Sequence, residues 1–362
     1  MPLKVVDLSR VLAGPLCGMI LGDLGADVIK VEKPGQGDET RGYGPPFDDR
    51  GESAYFLAIN RNKKSIAIDL SVASDRSVLV GLLAEADVVI DNFIPGKLKQ
   101  LGLAPDGLLE SNPRLVWCSI SGFGPDSTRP GYDFVTQAES GWMSITGEPD
   151  GAPMKVGVAL ADVIAGKDAA ASILGRILER NERPLPVSRR RIQISLLTSA
   201  VASLVNVAQG ALVAGSEPRR WGNAHPSLVP YQLFSASDRP FVIAVGSDSQ
   251  WEPCVRALRL SDLAEDPELA QNAGRVRSRA TIVSAIAAAV STNTAQHWVE
   301  TLKSAGVPCG EVRTVGAALK SMDASALTGV ASPVDGSVRL PPPRLDEHGA
   351  EVREQGWRVF AR

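Results

Sequence analysis

Leu3-Lys-Val-Val-Asp-Leu8, a helically spaced apolar run from Pro15 to Gly25, and Ala26-Asp-Val-Ile-Lys-Val-Glu32 open the chain as strand, helix, strand. Short β-branched runs read as buried strands, and apolar residues three and four apart between them read as a helix crossing back over the sheet. The rhythm continues with Ser65-Ile-Ala-Ile-Asp69, a helix from about Ser74 to Ala86, Asp87-Val-Val-Ile-Asp91, a short helix, and Arg114-Leu-Val-Trp-Cys-Ser-Ile120. Strands alternating with helices predict a parallel sheet covered on both faces, a Rossmann-like doubly wound α/β lobe.

Further along, Asp162 opens a helical run to about Arg180 and occupies the position of an N-cap. A Pro- and Arg-rich turn over 181–191, a strand at Arg191-Ile-Gln-Ile-Ser195 and a long Ala/Val/Leu helix to Ala214 complete residues 1–214, the expected large lobe. Gly215 to Pro230 breaks the pattern, and 215–305 is expected to form a smaller α+β lobe. It holds strands at 231–235 and 241–245 and helices near 250–259, 278–290 and 294–305. Val307-Pro-Cys-Gly-Glu-Val-Arg313 is read as a strand taking 306–362 back to the large lobe, which is then built from both chain ends.

The 362 residues exceed what one hydrophobic core usually serves, in keeping with two lobes. A hydrophobic fraction of 44%, a charged fraction of 22% and a mean hydropathy of +0.01 belong to a globular chain. The formal charge of -3 provides no broad basic field, so neither nucleic acid nor an anionic membrane is an expected partner. Cys17, Cys118, Cys254 and Cys309 form no CxxC pair and read as reduced thiols; with no apolar leader at the amino terminus, a cytoplasmic protein is expected.

Several chemistries are disfavoured by what the motifs omit. The first strand-to-helix turn, Ser9-Arg-Val-Leu-Ala-Gly-Pro15, carries no GxGxxG, and no P-loop or GxSxG elbow is present. His225, His297 and His348 are scattered, so no metal site is expected. Two carboxylates remain. Asp162 is either a helix cap or a nucleophile that helix-start N–H groups would keep ionised. Asp133, in Gly131-Tyr-Asp-Phe-Val-Thr-Gln137, also stands where a helix begins. Asn60-Arg-Asn-Lys-Lys64 is either solvated charge or a cradle for the phosphates of a nucleotide-containing cofactor.

Four blocks in order carry a family resemblance: Arg10-Val-Leu-Ala-Gly-Pro-Leu-Cys17 with 24–32, Asn60-Arg-Asn-Lys-Lys-Ser-Ile66, Asp91-Asn-Phe-Ile-Pro-Gly96, and Gly131-Tyr-Asp133 through Asp162. With Gly222-Asn-Ala-His-Pro226 and Gly306-Val-Pro-Cys-Gly310 they span nearly the whole chain. The chain resembles the class III CoA-transferases, the family of formyl-CoA and carnitine CoA-transferases that also contains the α-methylacyl-CoA racemases. The resemblance implies an interlocked homodimer, and CoA held by Val11, Ala13, Lys33, Ile68, Asn92, Phe93 and Leu101. It implies acyl-CoA and a small carboxylic acid as substrates, with no permanently bound cofactor. Asp162, with Asp133 nearby, would pass CoA through an aspartyl anhydride and an aspartyl-CoA thioester, and backbone N–H groups would receive the developing oxyanions.

Racemases of the family carry His-Asp where this chain has Tyr132-Asp133, and a phenol with an ordinary pKa of about 10 is a poor base, so transfer is the first reading. A racemase and a CoA-binding protein without turnover are the alternatives. Leu12 stands where formyl-CoA transferases have glutamine, Asp133 replaces their glutamate, and His225-Pro-Ser-Leu replaces their glycine-rich lid. A dicarboxylate larger than oxalate, such as succinate, is therefore expected.

Overall fold

The computed structural model describes residues 2–361. These divide into two compact units, the first of 2–143, 155–217 and 321–361 and the second of 144–154 and 218–320. The first unit is an α/β body around a six-stranded parallel sheet. Its strands are β1 (Lys4–Asp7), β2 (Asp27–Glu32), β3 (Lys63–Ala67), β4 (Val88–Asp91), β5 (Val116–Ser121) and β6 (Arg191–Ser195). They lie in the order β3-β2-β1-β4-β5-β6, which reverses direction between β1 and β4. In such sheets ligands bind at the carboxyl ends of the strands flanking that reversal.

The period of two along each strand builds two cores. Val5, Val28, Val88, Ile90, Val116 and Cys118 face one side, where they meet Cys17, Ile20 and Leu21 of α1 (Ala13–Asp23). Val6, Ile29, Val89 and Trp117 face the other and meet Leu79, Leu82 and Leu83 of α2 (Ala73–Glu85). The chain's end covers this second face, with Val352 and Trp357 buried in the same cluster and the Trp357 indole donating to Leu82 O at 3.0 Å. Burying each such side chain contributes about 1.5–3 kcal/mol, so both faces need their helices.

Past the sheet's reversal point come α3 (Asp133–Glu139) and the long α4 (Leu160–Glu182), followed by α5 (Leu196–Ala202) and α6 (Val205–Ala214). Ala165, Ala169, Ile173 and Ile177 press α4 onto the first core. Gly166 permits this packing to be close, because a Cβ there would sit 2.6 Å from Ala13 O at the head of α1. The single helix expected up to Ala214 is instead a pair bent by 71°, broken at 203–204. Among the described residues no single helix is long and apolar enough to cross a membrane.

The second unit holds an antiparallel sheet of β7 (Tyr231–Ser235), β8 (Pro240–Ala244) and β9 (Cys309–Glu311), packed against α7 (Trp251–Ala257), α8 (Arg279–Val290) and α9 (Ala295–Ser304). Here two expectations are corrected. The strand read over 307–313 does not lead back to the large lobe, because Cys309–Glu311 pairs with β8 in this unit's own sheet. The chain rejoins the first unit at 321 rather than 306, and the second unit also takes in 144–154, a stretch too short and too rich in Gly and Pro to announce a boundary.

The basic loop at 60–64 serves the scaffold rather than phosphates. Arg61 forms a bidentate pair with Asp23 at 3.0 and 2.7 Å, and the Asn62 amide donates to the same carboxylate at 2.7 Å. Lys63 is fully buried and donates to Asp7, Pro15 O and Asn60, each at 2.8 Å. The Arg61 and Lys63 charges are consumed internally, so neither solvation nor cofactor binding describes those two.

Candidate active site

Two cavities open at the carboxyl ends of β1 and β4. The larger, about 830 Å³, is a groove whose walls include Lys33, Ile68, Leu101, Lys97 and Phe93. The smaller is lined by Val11, Leu12, Ala13, Asn92, Gly122, Tyr132 and Asp162. Arg10, Phe93, Ile94 and Pro95 line both, so the two are continuous at the loops following β1 and β4. The seven positions expected to hold CoA are thus divided: Lys33, Ile68 and Leu101 in the groove, Val11, Ala13 and Asn92 beside Asp162, and Phe93 at the junction.

Asp162 is the third residue of α4, not its N-cap; Ala159 holds that place and supplies no side-chain cap. The cap comes from a different element. The Ala161 N–H donates to Asp133 Oδ1 at 2.8 Å, so Asp133 satisfies a free N–H in the first turn of α4 while sitting as the first residue of α3. Asp133 does not cap its own helix, whose N-cap position is held by Tyr132.

Gln137 completes the arrangement. Fully buried and one turn beyond Asp133, it donates to Asp133 Oδ2 at 2.6 Å and to Val158 O at 3.2 Å, and accepts from Val156 N–H at 2.8 Å. It therefore ties α3 to the segment leading into Asp162, just where the chain re-enters the first unit at 155. The sequence reading missed Gln137; its one signal was the i, i+4 spacing from Asp133, which places both side chains on the same helix face.

With Asp133 occupying the helix-start N–H, the Asp162 carboxylate makes no hydrogen bond among the described residues. Burial, followed by the neighbouring Asp133 carboxylate, pushes its pKa from 3.8 up to about 7. This runs against the expectation that the helix start would keep it ionised: the Ala161 N–H is taken by Asp133, and burial with a neighbouring like charge favours the protonated form. Tyr55, also absent from the sequence reading, lies within the same electrostatic neighbourhood. Its hydroxyl is pushed up to about 12 by burial and then by Asp162, and its ring meets Tyr43 edge-on at 5.5 Å. Two cations, Arg10 and Arg129, line the Asp162 cavity. Arg10 contacts Glu39 through one nitrogen at 3.2 Å, whereas Arg129 is engaged bidentately by Glu139 and stacks 3.9 Å from Phe123.

Among the described residues no group of three or more His, Cys, Asp or Glu side chains is placed to hold a metal ion. A doubly wound sheet with a groove at its switch point, continuous with a cavity that holds an unpaired carboxylate, has the form of an α/β enzyme's active site. The chain belongs to CoA-transferase family III, whose sequence model matches residues 2–355. It is 40% identical to the succinyl-CoA:glutarate CoA-transferase of Mus musculus over 315 residues, covering 86% of this chain and 71% of that one. The succinate–glutarate CoA-transferase of Agrobacterium fabrum is 35% identical over 377 residues, 97% of this chain and 94% of its own. In three dimensions the chain is similar to the crystal structure of a CaiB/BaiF family protein from Brucella suis, with a TM-score of 0.85, 38% identity and 98% of both chains covered.

Proposed function

We propose that this CoA-transferase moves CoA from an acyl-CoA to a free dicarboxylic acid, with Asp162 as the covalent carrier. One observation carries the reading: Asp162 is a carboxylate without a hydrogen-bond partner in a cavity that opens, past Arg10 and Phe93, into a groove of about 830 Å³. A groove of that size suits the adenosine and pantetheine of CoA, with the thiol end directed at Asp162. Lys33 is exposed at its rim and offers a cation to the CoA phosphates, while Ile68, Leu101 and Phe93 offer apolar wall. Val11, Ala13 and Asn92 would flank the thioester.

In this reading a carboxylate oxygen of Asp162 attacks the donor thioester carbonyl. The C–S bond breaks, giving an acyl-aspartyl anhydride and CoA thiolate. The thiolate attacks the aspartyl carbonyl, expels the donor acid and leaves an aspartyl-CoA thioester. The acceptor carboxylate then attacks that thioester, and the released thiolate takes the new acyl group and frees Asp162. One thioester is exchanged for another, so the balance needs neither ATP nor a metal. A pKa of about 7 leaves a large fraction of Asp162 ionised at neutral pH while making it more nucleophilic than an ordinary carboxylate.

Relatives named for glutarate, mesaconate and oxalate support a dicarboxylic acid as acceptor and succinyl-CoA as a donor to try first. The racemase alternative is disfavoured by Tyr132, which supplies no imidazole and is 60% exposed. A homodimer, interlocked as in the family, is supported by α6: an apolar helix with no buried residue, whose Val205, Leu212 and Val213 are 68%, 78% and 78% exposed. The reduced cysteines favour the cytoplasm as its setting.

The test is CoA exchange between succinyl-CoA and a panel of dicarboxylic acids, with hydroxylamine quenching and mass spectrometry of the Asp162 peptide. Exchange with a hydroxamate on Asp162, both lost in Asp162→Ala, is the expected result. Full exchange by Asp162→Ala removes the covalent mechanism, and loss of α-deuterium from a 2-methylacyl-CoA without exchange replaces transferase by racemase.

A further inference from the structure

Val11 has φ +69°, in the left-handed region that a β-branched residue rarely enters. It lies in the turn between β1 and α1 and lines the cavity with Asp162. Two side chains hold it there. Asn92, from the loop after β4, clamps the preceding residue at both ends: Arg10 N–H donates to Asn92 Oδ1 at 2.9 Å, and Asn92 Nδ2 donates to Arg10 O at 2.7 Å. From the other side, Val11 N–H donates to Asp38 Oδ1 at 3.2 Å.

Asp38 is itself fixed. It is 1% exposed, accepts from the Thr40 N–H and hydroxyl at 3.0 and 2.8 Å, and pairs with the Lys30 ammonium at 3.0 Å. Lys30 is wholly buried and spends a second donor on Ser9 O at 3.0 Å, two residues before Val11. A buried pair of this kind is costly to desolvate and no better for stability than apolar side chains of similar volume. The proposed transfer chemistry does not use it. Its polar contacts converge on the Ser9–Val11 turn, and that turn delivers Leu12 and Ala13, the start of a helix without a side-chain cap, to the Asp162 cavity.

We propose that Asp38 is a positioning residue of the transfer reaction, holding Val11 in left-handed backbone against the pull of its own side chain so that the head of α1 is set against Asp162. The inference rests on the reading of this cavity as the transfer site. Without the Asp38 acceptor, a β-branched residue relaxes toward extended backbone and the turn swings the head of α1 off its mark. Glycine adopts φ near +70° without that penalty and does not need the hold.

The experiment is a double-mutant cycle on CoA exchange with Asp38→Ala and Val11→Gly. Asp38→Ala in the Val11 chain is expected to lower kcat at least about tenfold, the scale on which misplaced catalytic groups act. Introduced into the Val11→Gly chain, the same change is expected to lower kcat by less than about threefold, a coupling that contacting residues show and independent ones do not. Because Asp38→Ala leaves the Lys30 charge buried, Lys30→Met/Asp38→Ala is measured in both backgrounds as the pair that keeps the fold. Equal losses in the two backgrounds, or no loss in either, overturn the proposal. Asp162→Ala is assayed alongside: exchange persisting there refutes the reading of the site, whereas the cycle reports on the turn for whichever group carries the acyl chain.

Discussion

Replacing Asp162 by Asn should make this protein more stable, and increasingly so as pH rises. Folding lifts the Asp162 pKa from 3.8 to about 7, so between those values the native state keeps a proton that the unfolded chain has lost. For an acid shifted in that direction stability falls as pH rises through the window, and the full cost is reached above the folded value. Just over three pKa units correspond to a ceiling of about 4 kcal/mol. Integrating across the two titrations puts roughly 2 kcal/mol of that in place by pH 5 and nearly all the rest by pH 8. An amide does not titrate, so Asp162→Asn escapes the whole cost. The assay is urea unfolding of both proteins at pH 5 and pH 8, at one fixed protein concentration. A midpoint advantage of the variant that widens toward pH 8 is expected, smaller than the ceiling to the extent that water enters the half-buried site. An advantage that is absent, or the same at both pH values, refutes the claim that burial and like charge hold this carboxylate in a costly state.

Asp133→Asn keeps an acceptor for the Ala161 N–H but removes the charge beside Asp162. Burial is the larger cause of the Asp162 shift, so the acid limb of the exchange rate is expected to move down by about one pH unit or less; an unmoved limb in a full pH–rate profile counts against the coupling. Gln137→Met removes three hydrogen bonds at a fully buried position and strips partners from Val156 N–H and Asp133. A loss of about 1–3 kcal/mol per unsatisfied group is expected, read as faster amide exchange at Val156 and a lower kcat with KM for acyl-CoA changed little. A KM effect alone would place Gln137 in substrate binding instead.

The parallel sheet was legible because its signal is local: runs such as Val5-Val6, Val28-Ile29 and Val88-Val89-Ile90 read as strands whichever helix later covers them. The second unit was less so. Residues 144–154 join 218–320 across a long gap in sequence, and Cys309–Glu311 chose β8 over the large sheet through pairing that no local pattern encodes. The charged loop 60–64 misled for the same reason: Arg61 and Lys63 are neutralised by Asp23 and Asp7, which lie 38 and 56 positions away in the chain.

By itself the sequence determined the doubly wound sheet, the family blocks, and Asp162 and Asp133 as the acidic candidates, since periodicity and motif order are properties of neighbouring residues. Only the tertiary structure decided how those acids divide their work. Asp133 takes the α4 N–H that local reasoning had assigned to Asp162, Gln137 fixes it in place, and Asp162 is left without a partner, its pKa pushed up by burial and by Asp133. The environment of a carboxylate is set by the groups that reach it through space, and here those groups come from a different helix.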